Sequence, residues 1–202
     1  MKAIAIAGLG SILVDAQRGD ECPTDIDGRV VKLMATKNQI DDFDNALVEA
    51  TRDLGAYQNQ FYDPGRGPVV RTVWYYISLV FFESSWFPFT KLKSLVLRRF
   101  GAKVGQGLVI HPNVRIKYPW RLVVGNNCWI GREAWIDNLD MVTLESDVCI
   151  SQGAYLCTGS HDHRSRTFEL RTGPITIKHG SWVCCRAIVL GGATLERMSL
   201  VP

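Results

Sequence analysis

Few side chains in this 202-residue chain can move a proton at neutral pH. Four histidines are present, His111, His161, His163 and His179, and two of them share one polar run, Ser160-His161-Asp162-His163. A neutral imidazole takes up a proton near its unperturbed pKa of about 6.5, so His161 can act as general base toward a weak nucleophile. His163 and Asp162 beside it read as surface polar residues, and His111 and His179 as structural turn residues. The six cysteines, Cys22, Cys128, Cys149, Cys157, Cys184 and Cys185, include an adjacent pair but no C-x-x-C spacing. That pattern argues against a zinc ribbon or a thioredoxin-type pair, and no other residues complete a usual metal ligand set. Reduced, buried thiols in a reducing compartment are expected instead. Near the N-terminus Gly8 and Gly10 suggest a dinucleotide turn, but Leu13 stands where the third glycine belongs and no βαβ unit follows.

Composition sets the outer limits. Apolar residues make up 47% and charged residues 21%, as in a packed globular chain and unlike a disordered polyelectrolyte. The net charge of +3 is small, and no Arg/Lys stripe interleaves with aromatics, which excludes nucleic acid as a partner. The charge is uneven, with −5 over residues 1–63, +5 over 64–101 and +3 beyond.

Three segments follow. Residues 1–68 form a loosely structured N-terminal extension with one helical stretch at 41–54, where Phe43, Leu47 and Ala50 share a side. Its apolar stretch 3–14 reads as a strand or tail, and also fits a signal peptide. The run Asp63-Pro64-Gly65-Arg66-Gly67-Pro68 marks the boundary. Residues 69–101 are aromatic, helical and amphipathic. Arg71, Glu83 and Pro88 interrupt them, so they do not form a spanning helix. Aromatic residues followed by Lys91, Lys93, Arg98 and Arg99 suit a helix at a membrane surface, and equally a helix covering the open end of a neighbouring core.

From residue 102 to 202 a six-residue period governs the chain. Val104, Ile110, Ile116, Val124, Ile130, Ile136, Leu144, Ile150, Leu156, Ile177, Val183, Val189, Leu195 and Val201 are all aliphatic. Four residues after most of these, from 124 on, stands a very small side chain such as Ala134, Ala154, Ser181 or Ala187. Neither a helix nor plain strand alternation gives a strict six, but a three-sided parallel coil does. The aliphatic residue fills the prism and the small one fits its corner. Gly125, Gly131, Asp137 and Glu145 are expected to take the turn conformations. The step from 156 to 177 spans 21 residues, three more than a full three-sided turn, and carries the polar excursion with His161.

This half of the chain resembles the hexapeptide-repeat acyltransferases, and residues 95–174 look most like the acetyltransferases of colanic-acid-type exopolysaccharide synthesis. The carrying segments are LRRFGAKVG (97–105), KYPWRLVVG (117–125) and ISQGAYLCTGSHDH (150–163). The resemblance implies a mainly β fold, a left-handed parallel β-helix, preceded by the helical or irregular extension. It also implies O-acetyl transfer from acetyl-CoA to a sugar hydroxyl, without a metal, by a cytoplasmic homotrimer with sites between subunits. A membrane contact would use residues 69–101. His161 matches the catalytic base. Asn138 falls where the family contacts the saccharide acceptor, and Asp162 and His163 read either as acceptor contacts or as surface polar residues. Trp182, within PITIKHGSW (174–182), matches a tryptophan that packs on coenzyme A. The main-chain N–H of Cys185 matches the donor to the thioester carbonyl, although the family usually carries Gly-Ser or a similar small pair at Cys184-Cys185. A covalent Cys185 mechanism is conceivable, while the family uses direct transfer in a ternary complex. The similar zinc carbonic anhydrases use His-x4-His, which the His161/His163 pair does not match. Similar acetyltransferases continue for a further coil and a closing tail, so the resemblance implies a C-terminally incomplete domain. An inactive β-helix scaffold is the competing expectation.

Overall fold

The computed structural model describes residues 2–4, 12–14 and 53–202. The chain divides into two units, Met1–Thr51 and Arg52–Pro202. In the first, β1 (Lys2–Ile4) and β2 (Ile12–Val14) pair antiparallel. The helix expected over 41–54 lies almost wholly outside the described residues, as does Cys22 and most of the stretch 3–14.

In the second unit the period of six becomes three walls of short parallel strands. Wall one stacks β3 (Lys103–Val104), β6 (Leu122–Val124), β9 (Val142–Leu144), β14 (Ile175–Ile177) and β17 (Thr194–Leu195). Wall two stacks β4 (Val109–Ile110), β7 (Trp129–Ile130), β10 (Cys149–Ile150), β15 (Trp182–Val183) and β18 (Leu200–Val201). Wall three stacks β5 (Arg115–Ile116), β8 (Trp135–Asp137), β11 (Tyr155–Cys157) and β16 (Ile188–Leu190). Register keeps like over like: Val124 pairs with Leu144, Ile130 with Ile150, Ile136 with Leu156. These side chains point inward and are buried, each worth about 1.5–3 kcal/mol of transfer from water. Cys128, Ala134, Val148, Ala154, Ser181 and Ala187 fill the corners beside them.

The turn chemistry differs from the expectation. The left-handed conformation falls on the third residue of each corner, at Gly107, Asn127, Asp147, Gly180 and Met198 between walls one and two. Between walls two and three it falls on Asn113, Glu133, Gly153 and Arg186. Gly125 and Gly131 are needed for another reason. A Cβ on Gly125 would lie 2.6 Å from the Ser146 nitrogen, and one on Gly131 2.7 Å from the Gln152 nitrogen, so the next coil leaves no room. Asp137 ends a strand rather than making a turn.

A helical layer covers the first coil. Helix α1 (Pro68–Ile77) starts with a proline at its first position, where no N–H is needed, and runs into a π-helical turn, Ser78–Phe82. Pro88 separates it from α2 (Thr90–Arg99), which ends on Arg98 and Arg99, then Gly101 at φ 98°. Trp74, Phe82 and Leu97 join the prism's core. The first coil would otherwise expose unpaired strand carbonyls. Trp74 Nε1 donates to the Ile116 carbonyl at 2.9 Å, Arg98 Nε to Val104 at 3.0 Å and the Phe82 carbonyl accepts from the Val114 amide at 3.1 Å. The outer face leaves Val69, Tyr76, Val80, Trp86, Phe89 and Leu95 exposed. Among the described residues no helix is long and apolar enough to cross a membrane.

Candidate active site

The third corner, between walls three and one, is where the regular coil is broken. On the first two coils it is a short turn, but after β11 the chain leaves the prism as an antiparallel hairpin, β12 (Gly159–His161) with β13 (Leu170–Thr172). The 21-residue step is thus one corner with a hairpin inserted, not a full turn plus three residues. Length alone does not distinguish the two. Ser160 accordingly sits exposed on β12 rather than filling a corner.

The tip of the hairpin is tied by Asp162. Its amide donates to the Glu169 carbonyl at 2.8 Å, its Oδ1 accepts from the Arg164 amide at 3.0 Å, and its Oδ2 meets the Arg171 guanidinium. The Arg164 amide, then Arg171 and His163, hold the Asp162 carboxyl below the usual carboxylate range. His163 is exposed in the following turn.

His161 closes β12, half-buried. Its Nδ1 lies 2.8 Å from the Phe168 carbonyl, and its ring stacks on the Phe168 ring with centroids 4.4 Å apart and planes 2° apart. Since a carbonyl only accepts, Nδ1 carries the hydrogen and Nε2 keeps its lone pair. That is the tautomer a general base requires. Phe168 adopts φ 52°, an uncommon conformation for a large side chain, which turns its carbonyl toward the imidazole.

A second aromatic ring, which sequence reasoning did not single out, reaches His161. Tyr57 meets it edge-on, centroids 5.6 Å apart. The segment carrying Tyr57 is anchored to the hairpin by the Asp53 amide, which donates to the Arg166 carbonyl at 2.9 Å. It is anchored to the coil by Tyr62, whose hydroxyl donates to the Leu139 carbonyl at 3.0 Å and whose ring lies under the Arg121 guanidinium. Beside the hairpin base lies a cleft of about 350 Å³ whose walls include Thr158, Gly159, Arg171, Gly173 and Gly191. Its glycines admit close backbone approach. A Cβ on Gly191 would lie 2.7 Å from the Thr158 carbonyl oxygen.

The remaining expected site residues are not gathered here. Trp182 is on the outside of wall two, about half exposed, with its indole N–H donating to Ser151 Oγ at 2.7 Å. Cys185 is exposed in the corner between walls two and three, which corrects the expectation that the thiols are all buried. Its amide has no hydrogen-bond partner among the described residues. Both therefore stand at a different part of the prism from the corner that carries His161. Asn138 is fully buried, and its amide is committed to the corner. Oδ1 accepts from the Tyr118 amide at 2.9 Å, and Nδ2 donates to the Tyr118 and Arg121 carbonyls at 2.6 and 3.0 Å. With both N–H groups committed and no exposed surface, it is out of an acceptor's reach, and its place is structural. Among the described residues no three His, Cys, Asp or Glu side chains come close enough together to hold a metal ion.

Comparison with known proteins finds relatives both by sequence and by structure. The chain is 37% identical over 123 residues to the "Putative colanic acid biosynthesis acetyltransferase WcaF" of Escherichia coli, covering 61% of this chain and 68% of that protein. The WcaF of Shigella flexneri matches to the same extent. Among solved structures, a hexapeptide-repeat-containing acetyltransferase of Vibrio cholerae complexed with acetyl coenzyme A superposes with a TM-score of 0.60. It does so at 16% identity, over 72% of this chain and 80% of that one. No family model matches the chain.

Proposed function

This chain belongs to the hexapeptide-repeat acetyltransferases represented by WcaF, with their left-handed parallel β-helix, and on that footing we propose that it moves an acetyl group from acetyl-CoA to a saccharide hydroxyl, in exopolysaccharide synthesis of the colanic-acid type. The observation that carries the reading is the bond between His161 Nδ1 and the Phe168 carbonyl, which leaves Nε2 as the base.

His161 Nε2 removes the hydroxyl proton as the sugar oxygen attacks the thioester carbonyl. The developing oxyanion is met by the unpaired main-chain N–H of Cys185. Collapse of the tetrahedral species breaks the carbon–sulfur bond, and the departing thiolate takes the proton back from the imidazolium. Trp182 offers an exposed indole for coenzyme A to pack against. His163 and Asp162 line the acceptor's approach to the hairpin.

Donor and base stand on different corners of one prism, so a single chain does not assemble the site. A homotrimer resolves this, because the hairpin of one subunit can meet wall two of the next. The exposed apolar face of α1 and the cations Lys91, Arg98 and Arg99 suit peripheral contact with an anionic membrane from the cytoplasmic side.

The test is release of coenzyme A from acetyl-CoA in the presence of saccharide acceptors. Turnover that disappears in His161→Ala, with the circular dichroism unchanged, is the expected result. Undiminished turnover in that variant removes His161 from the chemistry. An intact protein that binds acceptor but never turns over leaves a scaffold.

A further inference from the structure

A further cleft, of about 310 Å³, lies between β13 and the segment that carries Tyr57. Phe61 forms part of its wall, and the residue is 100% exposed. Leaving a large apolar ring wholly in water forgoes the gain from burying it, and here the surrounding backbone is held in place. The Tyr62 hydroxyl donates to the Leu139 carbonyl, Arg121 to the Asp63 carbonyl, and Trp120 Nε1 to the Pro64 carbonyl at 2.7 Å. Gln58 and Asn59 line the same cleft, and neither side-chain amide has a hydrogen-bond partner among the described residues. The hairpin supplies Leu170, Thr172 and the Glu169 carboxylate, which accepts from Thr167 Oγ1 at 3.0 Å.

Both sides of this cleft adjoin the base. Leu170 pairs directly with His161, so their side chains share one face of the hairpin, and Thr172, two residues on, lies on that face as well. Tyr57, which meets the His161 ring edge-on, immediately precedes Gln58. An exposed aromatic ring beside free amide and hydroxyl groups fits a pyranose. The sugar's C–H face covers the ring while its hydroxyls pair with the amides. The charge on Glu169 disfavours a second anion in the same cleft. From the exposed Phe61 and the free amides of Gln58 and Asn59 beside His161 we infer a subsite for an uncharged pyranose of the acceptor, next to the unit that receives the acetyl group. The inference rests on the saccharide reading above. It adds that residues 58–61, which lie outside the β-helix, select an acceptor of at least two sugar units.

Binding is measured on the full chain without acetyl-CoA, by saturation-transfer NMR titrations. The probes are methyl glucoside, methyl galactoside, methyl cellobioside, methyl lactoside and cellobiouronate. One of the two neutral disaccharides is expected to bind about tenfold tighter than either monosaccharide and than cellobiouronate, the scale of one aromatic stacking contact. That gain should be lost in Phe61→Ala, which removes only exposed atoms and should leave the circular dichroism unchanged. It should be kept in Phe61→Tyr and reduced in Asn59→Ala. Neutral disaccharides that bind no better than the monosaccharides or the acidic disaccharide, or equally well to wild type and Phe61→Ala, overturn the assignment. Acetyl transfer is assayed separately by release of coenzyme A. A Phe61-dependent disaccharide preference without turnover keeps the subsite and sinks the transferase reading, whereas turnover with the same acceptor KM in Phe61→Ala does the reverse.

Discussion

His161 and Phe168 hold each other twice: the carbonyl of Phe168 accepts from Nδ1 at 2.8 Å, and the two rings lie face to face at 4.4 Å. One contact sets the tautomer and the other sets the plane of the ring. Phe168→Gly keeps the carbonyl, relieves the left-handed φ of 52° and removes the stack. Acetyl transfer should then fall about 10–100-fold in kcat with KM little changed, the scale expected when a reacting group is misplaced by about an ångström. Steady-state kinetics check this, and an unchanged kcat means that the carbonyl alone positions the imidazole.

The oxyanion role given to Cys185 belongs to its main chain, so it can be removed without touching the turn. Pro112 occupies the equivalent place on the first coil, followed by Asn113 at φ 61°, as Cys185 is followed by Arg186 at φ 60°. Cys185→Pro is therefore compatible with the corner and deletes the donor. A loss of about 10²–10³ in kcat is expected, with near-normal activity in Cys185→Ser. Activity surviving in the proline variant, or lost in the serine variant, contradicts the assignment.

Asp162 ties the hairpin through an ionised carboxylate, and its folded pKa is depressed. Its contribution is therefore fully present above the unfolded carboxylate value of about 3.9 and is lost as the pH falls through the lower folded value. Exchange of the Asp162 amide, which donates to the Glu169 carbonyl, should stay slow down to that range and quicken below it. Arg171→Met should move the onset to higher pH. An onset that does not move assigns the depression to the Arg164 amide alone.

Lys93 is buried under α2, donating to the His111 carbonyl at 3.3 Å, with its ammonium 5.8 Å from the centre of the Phe82 ring. Burial pushes its pKa below the ordinary lysine value. Between the folded and unfolded values the unfolded chain binds more protons, so stability rises with pH across that window. Lys93→Met should raise the melting temperature at pH 7, by roughly 2–4 °C for each kcal/mol gained, and the gain should shrink toward pH 10. A variant less stable at both pH values means that the carbonyl bond outweighs the cost of burying the charge.

The prism was legible because its interior is one environment repeated. Ile130, Ile150 and Val183 meet the same neighbours, so the same class of residue returns at each coil. The polar break carrying His161 was legible as an interruption of that rhythm. Tyr57 was not, because its contact with His161 occurs once and leaves no periodic trace. Asn138 was misleading for a related reason. Its type suits an acceptor contact, but it is buried in a corner where Tyr118 and Arg121 take both of its N–H groups and Tyr118 also donates to its oxygen.

Residue types alone determined the walls, since only a chain turning every six residues buries those aliphatic positions together while its corners admit small side chains. Tertiary structure decided which nitrogen of His161 is free, because that depends on a carbonyl turned inward by the hairpin. It also decided that the Cys185 amide stands without a hydrogen-bond partner among the described residues, a matter of how its turn is folded.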